Sequence, residues 1–322
     1  MMRDPIRLWR TGRTLHRWVR RAAISAIPLA GLCGCDNCKE SVLTNSAFVD
    51  GGVAWALGSH HSASECIPYC GTGGSDVCAS REPLGCVVSA DNASTVQCQL
   101  RITRCNDPCG RMPAGLKCAS TAAQPSVVAA HLAAAAHLEG AAVFAFQAVE
   151  RELLAHGAPV QLVSRARSAQ RDEKRHHSAI SGLAIRFGAS VPSVEVEPIG
   201  IRTLVEMAIE NAVEGCVRET YGAAVAALQG ESAGNLSVKR VMRAIAVDEA
   251  KHASLAWAID AWARRRLAFT ERARVEAARE QARIELGAKV REPVPAQLST
   301  TLGLPTPIAA EHLTSTLSEL WS

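Results

Sequence analysis

The feature that most constrains this chain is a two-part motif that occurs twice in the same order. Leu138-Glu139-Gly140 is followed, 34 residues on from Glu to Glu, by Asp172-Glu173-Lys174-Arg175-His176. Val213-Glu214-Gly215 is followed 35 residues on by Asp248-Glu249-Ala250-Lys251-His252. The copies are offset by 75 residues at the Glu-Gly pair and by 76 at the E-x-x-H. A self-similarity of this kind predicts a duplicated helix pair. With 22 Glu and 10 His in 322 residues, chance supplies about 0.7 E-x-x-H matches, so neither copy means much alone. The matched offsets and the Asp before each motif Glu carry the argument.

The surrounding texture is helical. From about residue 124 the chain is rich in Ala, with Leu and Val at helical spacing and Gly or Pro between the segments. Helices are predicted over 126–156, 160–187, 202–229 and 236–267, with stops at Gly157 and Pro159, Gly188 and Pro192, and Gly230 and Gly234. A connection containing Pro198 and Gly200 separates the second helix from the third. Two short links around one long one predict a mainly α fold, a four-helix bundle with a long crossover over residues 125–267.

On a helix, E-x-x-H places a carboxylate and an imidazole one turn apart on one face, where both reach one interior point. Two such helices, with one Glu from each of the others, supply four carboxylates and two imidazoles. That set suits two metal ions, and oxygen-rich donors with one His per metal favour iron or manganese over copper. The repeat selects His176 over His177, because Ala253 stands at the matching place in the second copy. It selects Glu214 over Glu206 and Glu210 by the Glu-Gly echo, leaving Glu210 as a neighbour of the ligands. His131, His137 and His156 lack a partner motif and are read as surface or helix-end residues. Cys216 lies about 200° around the helix from Glu214 and should point away from the metals. The competing reading is that the motif carboxylates form exposed ion pairs with Lys and Arg. Against it, Glu139 lies in the run Ala-His-Leu-Glu-Gly-Ala-Ala-Val-Phe, where an unpaired charge would be buried at a cost.

The pattern resembles the ferritin-like superfamily, in particular bacterioferritin- and rubrerythrin-type di-iron bundles. The resemblance implies Glu173 and Glu249 as bridging carboxylates, Glu139 and Glu214 as terminal ones, and His176 and His252 as one nitrogen ligand per metal. It also implies a catalytic role near the metals for Tyr221, two turns after Glu214, whose first-half counterpart is Phe146. The cofactor implied is a pair of iron ions, with manganese as the alternative. The activity implied is oxidation of Fe(II) or reduction of dioxygen or peroxide. No rubredoxin domain accompanies the bundle to deliver electrons, so the electron donor is not identified. A non-catalytic surface lipoprotein, binding metal or serving as a scaffold, stays open beside the enzyme.

The front of the chain has a different character. Residues 1–34 hold seven arginines against one acid, and Arg17, Arg20 and Arg21 precede an uncharged stretch over 22–34. That stretch suits an export signal and falls short of the ~20 residues that span a bilayer. Leu32-Cys33-Gly34-Cys35 resembles a bacterial lipobox, with Cys35 acylated, and cleavage without lipid is the alternative. The protein is therefore expected outside the cytoplasm, anchored by lipid to a bacterial membrane. Beyond these residues acids and bases nearly balance, with no basic stripe, so there is no electrostatic case for nucleic acid. The partners expected are dioxygen or peroxide and the membrane reached through the lipid; a homodimer is left open.

Eleven of the twelve cysteines fall between Cys33 and Cys118. In an oxidising compartment the nine from Cys38 to Cys118 predict a small disulfide-rich module over 35–124. The odd thiol must stay free, pair with another molecule, or pair with Cys216. A metal knuckle would need two C-x-x-C pairs, and the only one is Cys35 to Cys38. The remainder, 268–322, is expected as a helical extension: a solvated helix over 271–288 capped by Thr270, a Pro-rich linker over 291–308 and a short helix over 309–321.

Overall fold

The computed structural model describes residues 38–48, 55–62, 65–66, 79–91, 94–105, 111–117 and 124–321. The export signal over 1–34 and the lipidation site Cys35 lie outside them. Two compact units are present. One holds the strands; the other holds residues 111–115 and 124–321 of the described chain.

The first unit is a four-stranded antiparallel sheet of β1 (Cys38–Phe48), β2 (His60–Ser62), β3 (Ala79–Val88) and β4 (Thr95–Cys105), ordered β1-β4-β3-β2. Pro83 sits in β3 beyond the three residues that pair with β2, where its missing N–H costs no ladder bond on that side. A disulfide joins the buried Cys66 and Cys86, and Cys98, opposite Cys86 across the β3–β4 ladder, is disulfide-bonded as well.

The second unit is helical. Ser126 caps α1 (Val127–Ala155) by accepting a hydrogen bond from the Ala129 N–H at 3.1 Å. Gly157, at φ 66°, turns the chain into α2 (Val160–Arg186). Thr203 and Glu206 close a capping box on α3 (Leu204–Glu210), which explains Glu206 as a structural acid. Without a break in helical φ and ψ, α3 widens into a π-helical segment (Asn211–Glu219) and resumes as α4 (Thr220–Ser232). Asn235 caps α5 (Leu236–Arg264), and α6 (Phe269–Lys289), a π turn (Leu298–Leu302) and α7 (Pro307–Trp321) follow. The first turn of α6 is closed by Glu271, whose carboxylate accepts the Ala268 N–H at 2.8 Å, two residues ahead of the expected cap at Thr270.

Among these helices α1 packs along α2, α4 along α5, and α2 also lies against α5. The long connection after α2 is pinned to α1, because Arg202 donates to the buried Glu152 at 2.7 and 2.8 Å and Arg151 donates to the Ile199 carbonyl at 2.9 Å. The Pro-rich stretch read as a linker is packed rather than free. Its Leu298 and Leu302 are buried, and its carbonyls at Thr300 and Thr301 accept the N–H groups of Gly234 and Asn235 in the α4–α5 turn at 3.0 and 3.1 Å. The helix read as solvated, α6, buries Val275, Ala282 and Leu286, and the last two pack in one cluster with Leu313, Leu317 and Trp321 of α7.

Two histidines differ from expectation. His131 and His137 are buried on α1, because that helix is apolar nearly all round and is covered on more than one side. His156 does sit at the helix end, hydrogen-bonded to the Arg202 carbonyl at 2.8 Å.

Candidate metal centre

Each E-x-x-H turns its two ligand-type side chains inward. On α2, Glu173 and His176 are both buried, and on α5 His252 is buried beside a Glu249 that is 13 % exposed. Glu139 of α1 joins them. His176 Nδ1 lies 3.3 Å from Glu139 Oε2, 3.5 Å from Glu173 Oε2 and 3.3 Å from Glu249 Oε1. His252 Nδ1 lies 2.9 Å from Glu173 Oε1 and 3.5 Å from Glu249 Oε1. One donor atom each from Glu139, Glu173, His176 and Glu249 falls within 4.8 Å of the others, a span one ion can bridge.

The second ring nitrogens are held by acids from the opposite helix. His176 Nε2 faces Asp248 of α5 at 3.4 Å, and His252 Nε2 faces Asp172 of α2 at 3.4 Å. Those acids are met from outside by the basic residue three positions on: Arg175 with Asp172 at 2.7 Å, and Lys251 with Asp248 at 2.6 Å. Arg175 also reaches Asp248 at 3.1 Å. The whole recurring string therefore has a structural account. The Glu and His face in, the Asp crosses to fix the other helix's imidazole, and the Arg or Lys neutralises the Asp at the surface.

The charges follow from this crowding. Burial alone would raise Glu173 and Glu249, but the two imidazoles beside them outweigh it, leaving Glu173 below its ordinary value and Glu249 at about 2. Glu139 goes the other way, well above its ordinary value, because burial and the neighbouring Glu173 and Glu249 both oppose its charge. Both imidazoles are raised against the pull of burial by the acids around them. His176 Nδ1 and His252 Nδ1 are nonetheless buried without a hydrogen-bond partner. Carboxylate oxygens stand near them but not in line, so the donors converge on a shared space rather than on one another.

The two Glu-Gly pairs share a packing cause. A Cβ on Gly140 would meet Val194 Cγ2 at 2.9 Å and the His177 ring at 3.0 Å, and one on Gly215 would meet Ala256 Cβ at 2.5 Å. Both glycines let a neighbouring element approach next to a glutamate. His177, the alternative to His176, bonds to the Ala136 carbonyl at 2.7 Å and so ties α2 to α1.

No family model, curated protein or solved structure matches this chain.

The remaining residues singled out by sequence lie elsewhere. Glu214 is buried and pairs with Arg218 at 2.6 Å, and it is not among the residues that converge on His176. Burial pushes its carboxyl up to about 7. Tyr221 packs in the apolar cluster with Val217, Ala224, Leu313 and Trp321. Phe146, its first-half counterpart, has its ring 5.0 Å from that of His252. Cys216 is a buried thiol in contact with Asn211 Nδ2 at 3.8 Å, not a partner for the cysteine-rich module. Glu210 receives a bidentate hydrogen bond from Arg111 at 2.9 and 2.7 Å.

Two polar residues beside the site carried no sequence signal. Arg111, 1 % exposed, comes from outside the predicted helices, and its guanidinium lies 5.6 Å from the Phe146 ring. Glu219, 2 % exposed, has burial push its carboxyl up to about 8. The offset of the repeat maps Glu219 onto Phe144, an exposed aromatic, so the first half holds no echo of it.

Proposed function

We propose that the helical unit is a ferritin-like four-helix bundle holding two iron or manganese ions, and that the protein is an exported, lipid-anchored oxidoreductase acting on Fe(II), dioxygen or peroxide. The observation that carries this reading is the pair of buried imidazole Nδ1 atoms without hydrogen-bond partners, facing three carboxylates. Such an array is costly when empty and is compensated by a cation. The donor set fits the ions, with Glu173 and Glu249 each within reach of both imidazoles and Glu139 beside His176 alone.

If bound, such ions would supply one-electron chemistry toward dioxygen or peroxide. The chain's own residues prepare for it. Asp172 and Asp248 keep the proton of each imidazole on Nε2, leaving Nδ1 to face the ions. Burial and the neighbouring Glu173 and Glu249 push the Glu139 carboxyl well above its ordinary value, and a cation bound beside it would favour its carboxylate form. Phe146 closes the His252 side with an apolar ring.

The experiment is to load metal-free protein anaerobically with Fe(II), count bound ions by mass spectrometry of the metal, and then follow oxygen uptake with an electrode. Two ions per chain with oxygen consumption is expected. Bound ions without uptake would favour the non-catalytic lipoprotein, and no bound ion would end the metal reading altogether.

A further inference from the structure

The sequence repeat nominates Glu214 as the carboxylate from the third predicted helix, but the fold gives Glu214 a cation of its own in Arg218. We infer that Glu219, on the His252 side, is the carboxylate that this helix contributes to the metal centre. The inference rests on the di-metal reading above and specifies one ligand of it.

Glu219 is 2 % exposed and its Oε2 is buried with no hydrogen-bond partner. The facing cation is Arg111, whose Nη1 is likewise buried without a partner and stays 4.0 Å away. Arg111 cannot simply turn to close that gap. Its Nε and Nη2 are committed to Glu210 at 2.9 and 2.7 Å, with Asn211 Oδ1 at 3.3 Å from Nη2. The same guanidinium lies over Phe146, 5.6 Å from its centroid, and Phe146 lies 5.0 Å from the His252 ring. Glu219 therefore stands beside the guanidinium that covers Phe146, on the flank of the cluster where Phe146 meets His252, and the charges that act on it are those of Arg111 and then of His252, Glu249 and Glu173. The groups that act most on Glu214 are Arg218, Glu210, Arg111 and the Met112 N–H. Glu214 also leaves one oxygen without a hydrogen bond, but its other oxygen sits 2.6 Å from Arg218.

The π segment supplies the reason. In α geometry a residue five positions beyond Glu214 stands about 140° around the helix, on another face. A π turn bonds i to i+5, which brings residues five apart to neighbouring positions on one side. The widened turn spans Asn211–Glu219 and is tied by two hydrogen bonds to residues far along the chain. Asn211 Nδ2 donates to the Ala256 carbonyl at 2.9 Å, and Trp321 Nε1 donates to the Cys216 carbonyl at 2.9 Å.

The test uses the full chain, stripped of metal and titrated with Mn(II), with bound ions counted after desalting, for wild type, Glu219→Gln and Glu214→Gln. Wild type and Glu214→Gln should each bind two ions, and Glu219→Gln one. Two ions in Glu219→Gln would overturn the inference while leaving the di-metal reading in place, whereas fewer than two in wild type would overturn that reading itself. Should Glu219→Gln lose its helical circular dichroism, Glu219→Asp replaces it. That variant keeps a carboxylate but draws it back, and its second ion should bind about tenfold more weakly or worse. An unchanged second affinity there would equally overturn the assignment.

Discussion

Gly215→Ala and Gly182→Ala make the same chemical change inside a helix, and they should move stability in opposite directions. A Cβ on Gly215 would lie 2.5 Å from Ala256 Cβ, 3.1 Å from Asn211 Oδ1 and 3.2 Å from Arg111 Nη1. Carbon atoms pack best at about 3.5–4.0 Å, so α5 and the π segment would have to part by about 1 Å. The obstructing atom is a Cβ fixed to the backbone, so no rotamer change can relieve the contact. Overpacking of this kind costs about 1–3 kcal/mol. The Asn211 to Ala256 hydrogen bond of 2.9 Å spans the same gap and would stretch, which places the cost at the upper end. Subtracting the helix-propensity gain of Ala over Gly, about 1 kcal/mol, leaves a net loss of about 2 kcal/mol.

At Gly182, on α2, nothing lies within 4 Å of the added Cβ, so only the gain remains. For a unit of this size 1 kcal/mol shifts Tm by about 2–4 °C. Metal-free Gly215→Ala should therefore melt about 4–8 °C lower than wild type, and Gly182→Ala about 2–4 °C higher, followed by far-ultraviolet circular dichroism. Because Gly215 sets the seat of the helix that carries Glu249 and His252, Mn(II) affinity should fall in Gly215→Ala and hold in Gly182→Ala. A Gly215→Ala chain that melts at or above wild type would refute the reasoning, since the glutamate-glycine echo would then have no packing cause.

Two further outcomes are expected. His176→Ala should lose bound metal, whereas His177→Ala should keep two ions and lose about 1 kcal/mol of stability with its hydrogen bond to Ala136, as read by metal counting beside thermal melting. The carboxyls of Glu214 and Glu219 are pushed by burial from an ordinary 4.5 up to about 7 and about 8. Their stabilising contribution is complete below pH 4.5 and is lost as pH rises through those values, by at most about 1.4 kcal/mol per pH unit for each group. Metal-free Tm should therefore fall between pH 5 and 8.5, and less steeply in Glu219→Gln. With Mn(II) present the added stability should grow with pH instead, because the ligands bind the ion deprotonated. A metal-free Tm that is flat or rising over this range would show that neither carboxyl is held protonated.

Much of the site was legible because a helix converts spacing along the chain into direction around an axis. Once Glu173 and His176 are placed on one helix and Glu249 and His252 on another, their three-residue spacing alone puts each pair on a common face. The run of small apolar residues around Glu139 marks the same interior side of α1. These five side chains do come together, and the helix bounds lie within a few residues of those read from the Gly and Pro stops. The roles of Asp172 and Asp248 were less accessible. Their recurrence is visible, but that each serves the other helix's histidine depends on how α2 lies against α5.

What the sequence determined by itself is therefore local: helix extent, the inward face of each E-x-x-H, and the identity of most of the converging donors. What only the tertiary structure decided is whatever depends on phase or on distant contact. The π segment shifts the third predicted helix out of register with its first-half copy, so a glutamate chosen by matching offsets finds Arg218, and one with no counterpart in the repeat stands by the Arg111 guanidinium over Phe146. Nothing in the order Asn-Ala-Val-Glu-Gly-Cys marks a π turn, because its widening is held by Ala256 and Trp321, contacts 45 and 105 residues away along the chain. Arg111 likewise gains its place from partners about a hundred residues distant, Glu210 and Asn211. A repeat can be read from spacing only while both copies keep the same residues per turn. Here the packing of the rest of the chain changed that number in one of them.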